Sequence, residues 1–504
     1  MRVPVRGEGV FLATIKRWTA AASLVFSIFA VWGWAQSQPP DLVLTGDVTG
    51  AQNKTYFEIP FAVPAGTHRI SVDFHYTGAE QRATLDLGIA DPDRFRGESG
   101  GNKSHFTIGE TDATPSYLPG AIPAGQWRLL IAVPNMRAQT VSHYRAEIRF
   151  NARDEDSSFA AQPLASGTRW YRGDLHMHTA HSDGRCPSQS GLMVPCPVFV
   201  SAETAASRRL DFIAITDHNA DSQYDALREL QPYFDRVLLI PGREMTTFHG
   251  HFNIFGVTQF IDWRVTAGGL DLNSVLRDVA SKGGIASVSH AASPGGEICM
   301  GCRWEPPQDL DMSLFTAVEV INGGPFMLSS TKFWDAQLRD GHRLAAVGGS
   351  DSHNAANPPG PPGSIGWPTT AVEANELSVP AILNGIRTGR TFVDLTASHD
   401  KVVDFEAESG GARARMGETL HTAAGAEIRV RIHTAACAGS VVNLLLDGEE
   451  IAAAPPKPVD SANSPLEATL TVSAGRHWLR VEVRDVKGGL QLTSSPLYIN
   501  FPGQ

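Results

Sequence analysis

The stretch Tyr171–Cys186, "YRGDLHMHTAHSDGRC", gathers Asp174, His176, His178, His181 and Asp183. In an extended segment alternate side chains share a face, so His176 and His178 project together. Two adjacent imidazoles repel once protonated, and a shared cation removes that cost. Imidazole nitrogen with carboxylate oxygen suits zinc, manganese or iron and needs no thiolate. Further fragments of the same kind follow. They are Asp217-His218 in "AITDHN", Glu244 and His251 in "GREMTTFHGHFNIFG", His290 in "SVSHAA", and Asp351 with His353 in "GGSDSHN". The last pair repeats the i,i+2 geometry. Each fragment alone has a plain reading: a solvated pair, a helix cap supplied by Asp, an ordinary turn, a strand-end ion pair. Together, each at the end of an apolar run within one region, they read as one metal centre.

The elements around them make convergence feasible. From Arg169 to Ser398, apolar runs such as "RLDFIAITDHN", "RVLLIPGREM", "GGIASVSHAA", "TAVEVINGG" and "RLAAVGGSDSHN" end in polar clusters. They alternate with amphipathic stretches "DSQYDALRELQPYF", "DLNSVLRDVASKG" and "STKFWDAQLRDG". Continuous apolar runs are the mark of buried parallel strands, so 169–398 is expected to be an α/β, barrel-like domain. In such barrels, chemistry collects at the carboxyl ends of the strands. Residues 41–151 and 399–504 differ. Short alternating strands punctuated by Gly, Pro and Asn predict a β-sandwich on each side. In the C-terminal one, Asp447-Gly448 within "LLLDGEEI" predicts a tight hairpin.

Composition bounds the function. The 504 residues carry a formal charge of −11, and 42% are hydrophobic. The basic residues Arg2, Arg6, Lys16 and Arg17 are concentrated at the start, where Glu8 is the one acid up to residue 35. An acidic chain without a basic patch argues against a nucleic-acid partner. Residues 1–35 read as an export signal: Lys16-Arg17, an apolar run from Thr19 to Val31, then "GWA" before Gln36. An uncleaved anchor is the competing reading, and no later stretch is long and apolar enough to span a bilayer. The expected location is periplasmic or secreted. Five cysteines fit that compartment. Two bridges with Cys437 free is the simplest count, with the pairing left open. A thiolate metal site or redox pair at Cys299 and Cys302 is the alternative.

Taken together, "GDLHMHTAHSDG", "FIAITDHN", "GREMTTFHGHFNIFG", "SHAASPGG" and "GGSDSH" resemble the PHP (polymerase and histidinol phosphatase) domain family. "GHFNIFG" and the flanking β modules look most like the CehA/McbA-type metallohydrolases. The resemblance implies a distorted (β/α)7 barrel flanked by β-sandwiches, holding two or three divalent ions. It implies that His176 and His178 bind a first ion with Glu244 and Asp351. Glu244 bridges to a second ion held by His251 and His290, and Asp183, His218 and His353 hold a third. One position departs from the family pattern. Where a histidine precedes the "IFG" ending in many members, this chain has Asn253. His251 and His249 lie in phase with it on a strand.

The implied reaction is hydrolysis of a small-molecule ester by a metal-bridging hydroxide. The metal lowers the pKa of water from about 15.7 toward neutrality. Asp217 or His218 is expected to orient or protonate reacting groups, and Asp174 to fix an imidazole tautomer from behind. His181, outside the family ligand positions, reads as solvated or substrate-facing. Arg185, Arg303 and Lys332 read either as phosphate clamps or as surface charges. Glu319 and Asn322 either face the pocket or form a structural pair. Three divalent ions against the carboxylates of Asp183, Glu244 and Asp351 leave about +3, which favours a phosphoester. Two ions leave about +1, which also suits a neutral carbamate or carboxyl ester. A metal-stabilised cell-surface binding protein is the reading from another class. The cysteine-bearing segments follow metal motifs and are expected to form pinned loops over the barrel mouth.

Overall fold

The computed structural model describes residues 39–151, 159–266, 268–299, 301–325, 327–451, 454–459 and 465–502. The expected export segment, 1–35, lies outside the described residues. The fold is mixed α/β, with many strands and five α-helices among the described residues.

Residues 42–151 form two four-stranded antiparallel sheets. One carries Leu42–Thr49, Val141–Asn151, Arg69–Tyr76 and His105–Gly109. The other carries Tyr56–Val63, Gly125–Asn135, Thr84–Ala90 and Phe95–Glu98. The strand Val141–Asn151 alternates exposed and buried side chains, as a strand with one wet face must. Ile70, Val72, Phe106, Trp127 and Ile148 meet between the sheets. The loop after His105–Gly109 also contacts the central region. The buried carboxylate of Asp112 pairs with Arg69 at 2.5 Å and with Arg228, and the Ala113 N–H donates to Asp225 at 3.0 Å.

The central strands are buried along nearly their whole length, which explains their apolar spelling. Ser166–Asp174 runs parallel to Phe212–Ile215, and that strand parallel to Leu238–Thr247. Leu238–Thr247 then folds back antiparallel onto Gly250–Phe255, which is antiparallel to Ile285–Val288. Parallel order resumes through Ala317–Asn322 and Ala345–Gly349. The ladder network closes into a barrel. At the functional end the first and last motifs meet directly. Met177 bridges Ser352, the Asp351 N–H donates to His176 O, and the His178 N–H donates to Ser352 O.

Helices Val198–Ser207, Gln223–Leu230, Leu272–Ser281, Thr331–Asp340 and Val379–Arg387 cover the strands. Their ends are chemically marked. Asp271 accepts the Ser274 N–H, Ser378 accepts the Ala381 N–H, and Gly341 ends its helix at φ 101°.

The sheet does not stop at residue 398. Thr391–Asp394 pairs with Leu490–Ser494, which pairs with His477–Arg484, which pairs with Val441–Leu446. A separate sheet of Ala412–Arg415, Val402–Ser409, Glu427–Ala435 and Leu466–Thr471 packs on it through Phe405, Ile432, Val481 and Leu492. The C-terminal sandwich thus shares one layer with the barrel sheet. Asp447 (φ 54°) and Gly448 (φ 87°) make the tight turn that returns Glu449 opposite Leu446.

Candidate metal centre

Strand ends deliver the donors. His176 and His178 follow Ser166–Asp174, His218 follows Phe212–Ile215, and Glu244 lies near the end of Leu238–Thr247. His251 opens the return strand, His290 follows Ile285–Val288, and Asp351 and His353 follow Ala345–Gly349. The donor atoms form four overlapping sets able to hold a metal ion: His176, His178 and Glu244; His176, His290 and Asp351; His218, Glu244 and His251; and His178, Asp183, His218 and His353.

Glu244 is the hub. Its side chain is fully buried, with Oε1 3.0 Å from His290 Nε2 and 3.1 Å from His251 Nδ1. Its Oε2 lies 2.9 Å from His218 Nδ1 and 3.5 Å from His178 Nε2. Asp351 Oδ1 lies 3.2 Å from His178 Nε2 and 3.4 Å from His176 Nε2. Asp183 Oδ1 lies 3.3 Å from His353 Nε2 and 3.8 Å from His218 Nε2. The Asp183 set is the open side of the cluster: the Asp183 side chain is 58% exposed, while those of His176 and Glu244 are sealed.

These residues fit divalent cations on an observation independent of their spelling. His176 Nε2, His251 Nε2 and His290 Nδ1 are buried without a hydrogen-bond partner. A buried polar atom left unpaired costs about 1–3 kcal/mol, and three in one cluster mark atoms meant for another partner. The backbone is also held against its preference here: His290 sits at φ 26° and Asp351 at φ 49°. Such conformations cost about 1–3 kcal/mol each and collect at functional sites.

Charge reinforces the picture. Burial opposes a proton on His176, yet Glu319, Asp351 and Glu244 outweigh it and raise its pKa well above the ordinary value. Burial, with His353 and His218 alongside, pushes His178 down to about 4. Burial disfavours charge on His353 as well, but Asp183 and Asp351 lift it to about 9. Burial works against ionised Glu244 and Asp351, and the surrounding imidazoles override it, holding both carboxyls well below the usual range. Protons and cations compete for the same nitrogens, so metal loading strengthens as pH rises.

The residues behind the donors differ in part from expectation. The tautomer of His176 is held by Glu319, whose Oε1 lies 3.0 Å from Nδ1 and leaves Nε2 for the cluster. Asp174, expected in that role, instead accepts the backbone N–H groups of His176, Ser350 and Gly366 and ties three chain segments together. Asn322 bridges Glu319 Oε2 and Asp351 Oδ2 at 3.0 and 3.2 Å. Asp217 is buried. Its oxygens accept from the Thr179 N–H, the Thr179 hydroxyl and the Ser182 hydroxyl at 2.6–2.7 Å, fixing the turn that carries Asp183. Thr246, unmarked in the sequence, lies 2.7 Å from His218 Nδ1.

Of the three in-phase positions on the return strand, His251 reaches the cluster. His249 turns to Glu305 O, and Asn253 donates toward Leu175 O. His181 contacts Ser222. Arg185 donates to Met193 O, Arg303 pairs with Glu305, and Lys332 is exposed on its helix. Among the described residues no hydrogen bond or ion pair joins the side chain of any of these three to a donor residue; the Arg185 backbone N–H alone reaches one, at His353 O.

Both disulfides sit beside donors. Cys186–Cys196 closes a small hairpin whose Arg185 N–H donates to His353 O at 2.7 Å. Cys299–Cys302 closes the loop that places Gly301 over His251; a Cβ there would stand 3.7 Å from His251 Nε2. Cys437 is free and buried.

No family model matches the chain, and no curated protein matches it. Among solved structures it is similar to a two-domain protein from Bacteroides vulgatus described as containing a predicted PHP-like metal-dependent phosphoesterase. The identity is 16%, the TM-score 0.36, and the match covers 66% of this chain and 96% of that one.

Proposed function

We propose that this chain is an exported metal-dependent hydrolase, built on a distorted (β/α)7 barrel of the PHP type and acting on phosphoesters of small molecules. The observation that carries the reading is Glu244. One sealed carboxylate shared by five imidazoles, with unpaired buried donor atoms around it, is what a multi-ion centre needs. His176, His178, Glu244 and Asp351 would hold one ion, Glu244, His251 and His290 a second, and Asp183, His218 and His353 a third. When bound, such ions supply Lewis-acid polarisation of the substrate oxygen and a water acidified to near-neutral pKa.

The chain's own groups prepare that chemistry. Glu319 holds the proton of His176 on Nδ1. Thr246 anchors His218 Nδ1 and turns Nε2 toward Asp183 on the open side, where it would hold the third ion, or, with two ions bound, orient the reacting groups and hold a proton. Asp217 acts through the Thr179–Ser182 turn as a positioning residue rather than by touching substrate.

A second reading has an observation of its own. With Arg185 and Arg303 already engaged, the chain offers no guanidinium clamp at the donor cluster among the described residues, which suits a neutral carbamate or carboxyl ester of the CehA/McbA kind. Export rests on two disulfides and on the expected signal; no described helix is long and apolar enough to cross a membrane.

Turnover of p-nitrophenyl phosphate, bis-p-nitrophenyl phosphate and 1-naphthyl methylcarbamate by the metal-loaded chain separates the readings. Phosphate turnover alone supports the first and carbamate turnover alone the second. Stoichiometric metal with neither activity contradicts both and favours a metal-stabilised binding protein.

A further inference from the structure

At the other end of the barrel lies a cationic recess that the metal chemistry does not use. Arg343 precedes the strand Ala345–Gly349, and Asp351 follows it. The five strand residues between them alone rise roughly 16 Å. Two adjoining cavities of about 310 and 340 Å3 open there, and both are lined by Arg343 and Arg387. Cavities of this size suit small-molecule ligands.

The two guanidiniums are held in place without being neutralised. Arg343 donates to Thr419 Oγ1 and Gly417 O, stacks 4.3 Å from the centre of the Tyr498 ring, and keeps a buried Nε without a hydrogen-bond partner. Arg387, in the last turn of its helix, donates to Gly283 O. Neither forms an ion pair among the described residues. Of the nearby acids, Glu373 and Asp404 pair with Arg390, and Glu418, which lines the second cavity, accepts the Arg415 backbone N–H. His342 and Thr388 add polar atoms to the lining. Two guanidiniums without an ion pair among the described residues thus line one recess, where an anion would pair with both. Guanidinium pairs match the oxygens of phosphate in planar, two-point fashion.

The geometry points to a second, non-catalytic site that binds a phosphate-sized dianion, free or as a phosphomonoester, between Arg343 and Arg387. The cavity with Phe315 and Pro502 leaves room for an organic substituent.

The test uses the full metal-loaded chain and reads the melting temperature against inorganic phosphate and phenylphosphonate, for wild type and Arg387→Gln. Arg387 is exposed and has one hydrogen bond, to Gly283 O, whereas Arg343 braces Gly417 and Thr419, so the variant is placed at Arg387. Both anions should raise the wild-type melting temperature. Arg387→Gln should weaken the response on the order of tenfold in concentration, leave the anion-free melting temperature in place, and leave hydrolysis kinetics at the metal centre unchanged. Tighter binding of phenylphosphonate assigns the site to monoesters, and equal binding assigns it to free phosphate. An identical response in wild type and variant, or no wild-type response at millimolar phosphate, overturns the site.

Discussion

Glu319 shows how much of the cluster depends on residues outside the proposed ligand set. Its two oxygens reach His176 Nδ1, the His290 N–H and Asn322 Nδ2, so it orients two donors at once. Glu319→Gln should lower metal affinity about 10–100-fold with the fold intact, measured by chelator competition; unchanged affinity would remove Glu319 from the account. Gly349 matters for the opposite reason, the absence of a side chain. A Cβ there would lie 2.3 Å from His176 Cβ and 2.7 Å from Glu319 Oε1. Gly349→Ala should cost about 1–3 kcal/mol in unfolding free energy and displace His176, detected as lost metal together with a lower melting temperature. The convergence of these side chains was legible because imidazole and carboxylate at strand ends have few other uses in such numbers. Glu319 was marked together with Asn322 but its partner was not, because a lone acid after "AV" is spelled the same whether it faces an imidazole or forms a structural pair. Asp174 misled for a related reason. Its place beside His176 suggested a ring partner, while its oxygens serve backbone N–H groups.

Between elements, the hairpin turn before Gly250 carries the most information. Leu238–Thr247 and Gly250–Phe255 are separated by Phe248 and His249 alone. Two residues are too few for a parallel crossover, so the return must be antiparallel. That signal was present in the sequence but hidden, since a fully buried antiparallel strand reads as the same apolar run as a parallel one. The helices Gln223–Leu230, Leu272–Ser281 and Thr331–Asp340 were legible through amphipathic spacing, while Val198–Ser207 and Val379–Arg387 were not. The pairing of Thr391–Asp394 with Leu490–Ser494 was not, because nothing local marks a partner so distant along the chain. The first disulfide acts at this scale. It holds the Arg185–Pro187 strand against Met193–Pro195, next to Asp183 and hydrogen-bonded to His353 O. Replacing both Cys186 and Cys196 by Ser should release the ion of the Asp183 set first and leave the ions of the buried sets in place, read as metal content per chain. Loss of all ions together would contradict this division.

Across the whole molecule, the Arg69–Asp112–Arg228 cluster ties the N-terminal sandwich to the helix Gln223–Leu230. Burial works against the Asp112 charge, but the two guanidiniums override it and hold the carboxyl below its ordinary value. A depressed carboxyl contributes stability that is present above its unfolded pKa and lost as pH falls through the folded one. Melting temperature should therefore fall below about pH 4. Arg228→Ala should lower stability by about 2 kcal/mol at neutral pH and bring the acid transition to higher pH. A pH profile unchanged by that substitution would show that the sandwich is not anchored there. The central claim is that separated strand ends converge on Glu244 to hold more than one cation. The most direct test is elemental analysis of the purified chain beside Glu244→Gln. Two or three equivalents of divalent metal in the wild type, falling by at least one in the variant with the melting transition still cooperative, is the predicted result. A wild-type chain holding less than one equivalent after exposure to zinc, manganese and iron would contradict the account.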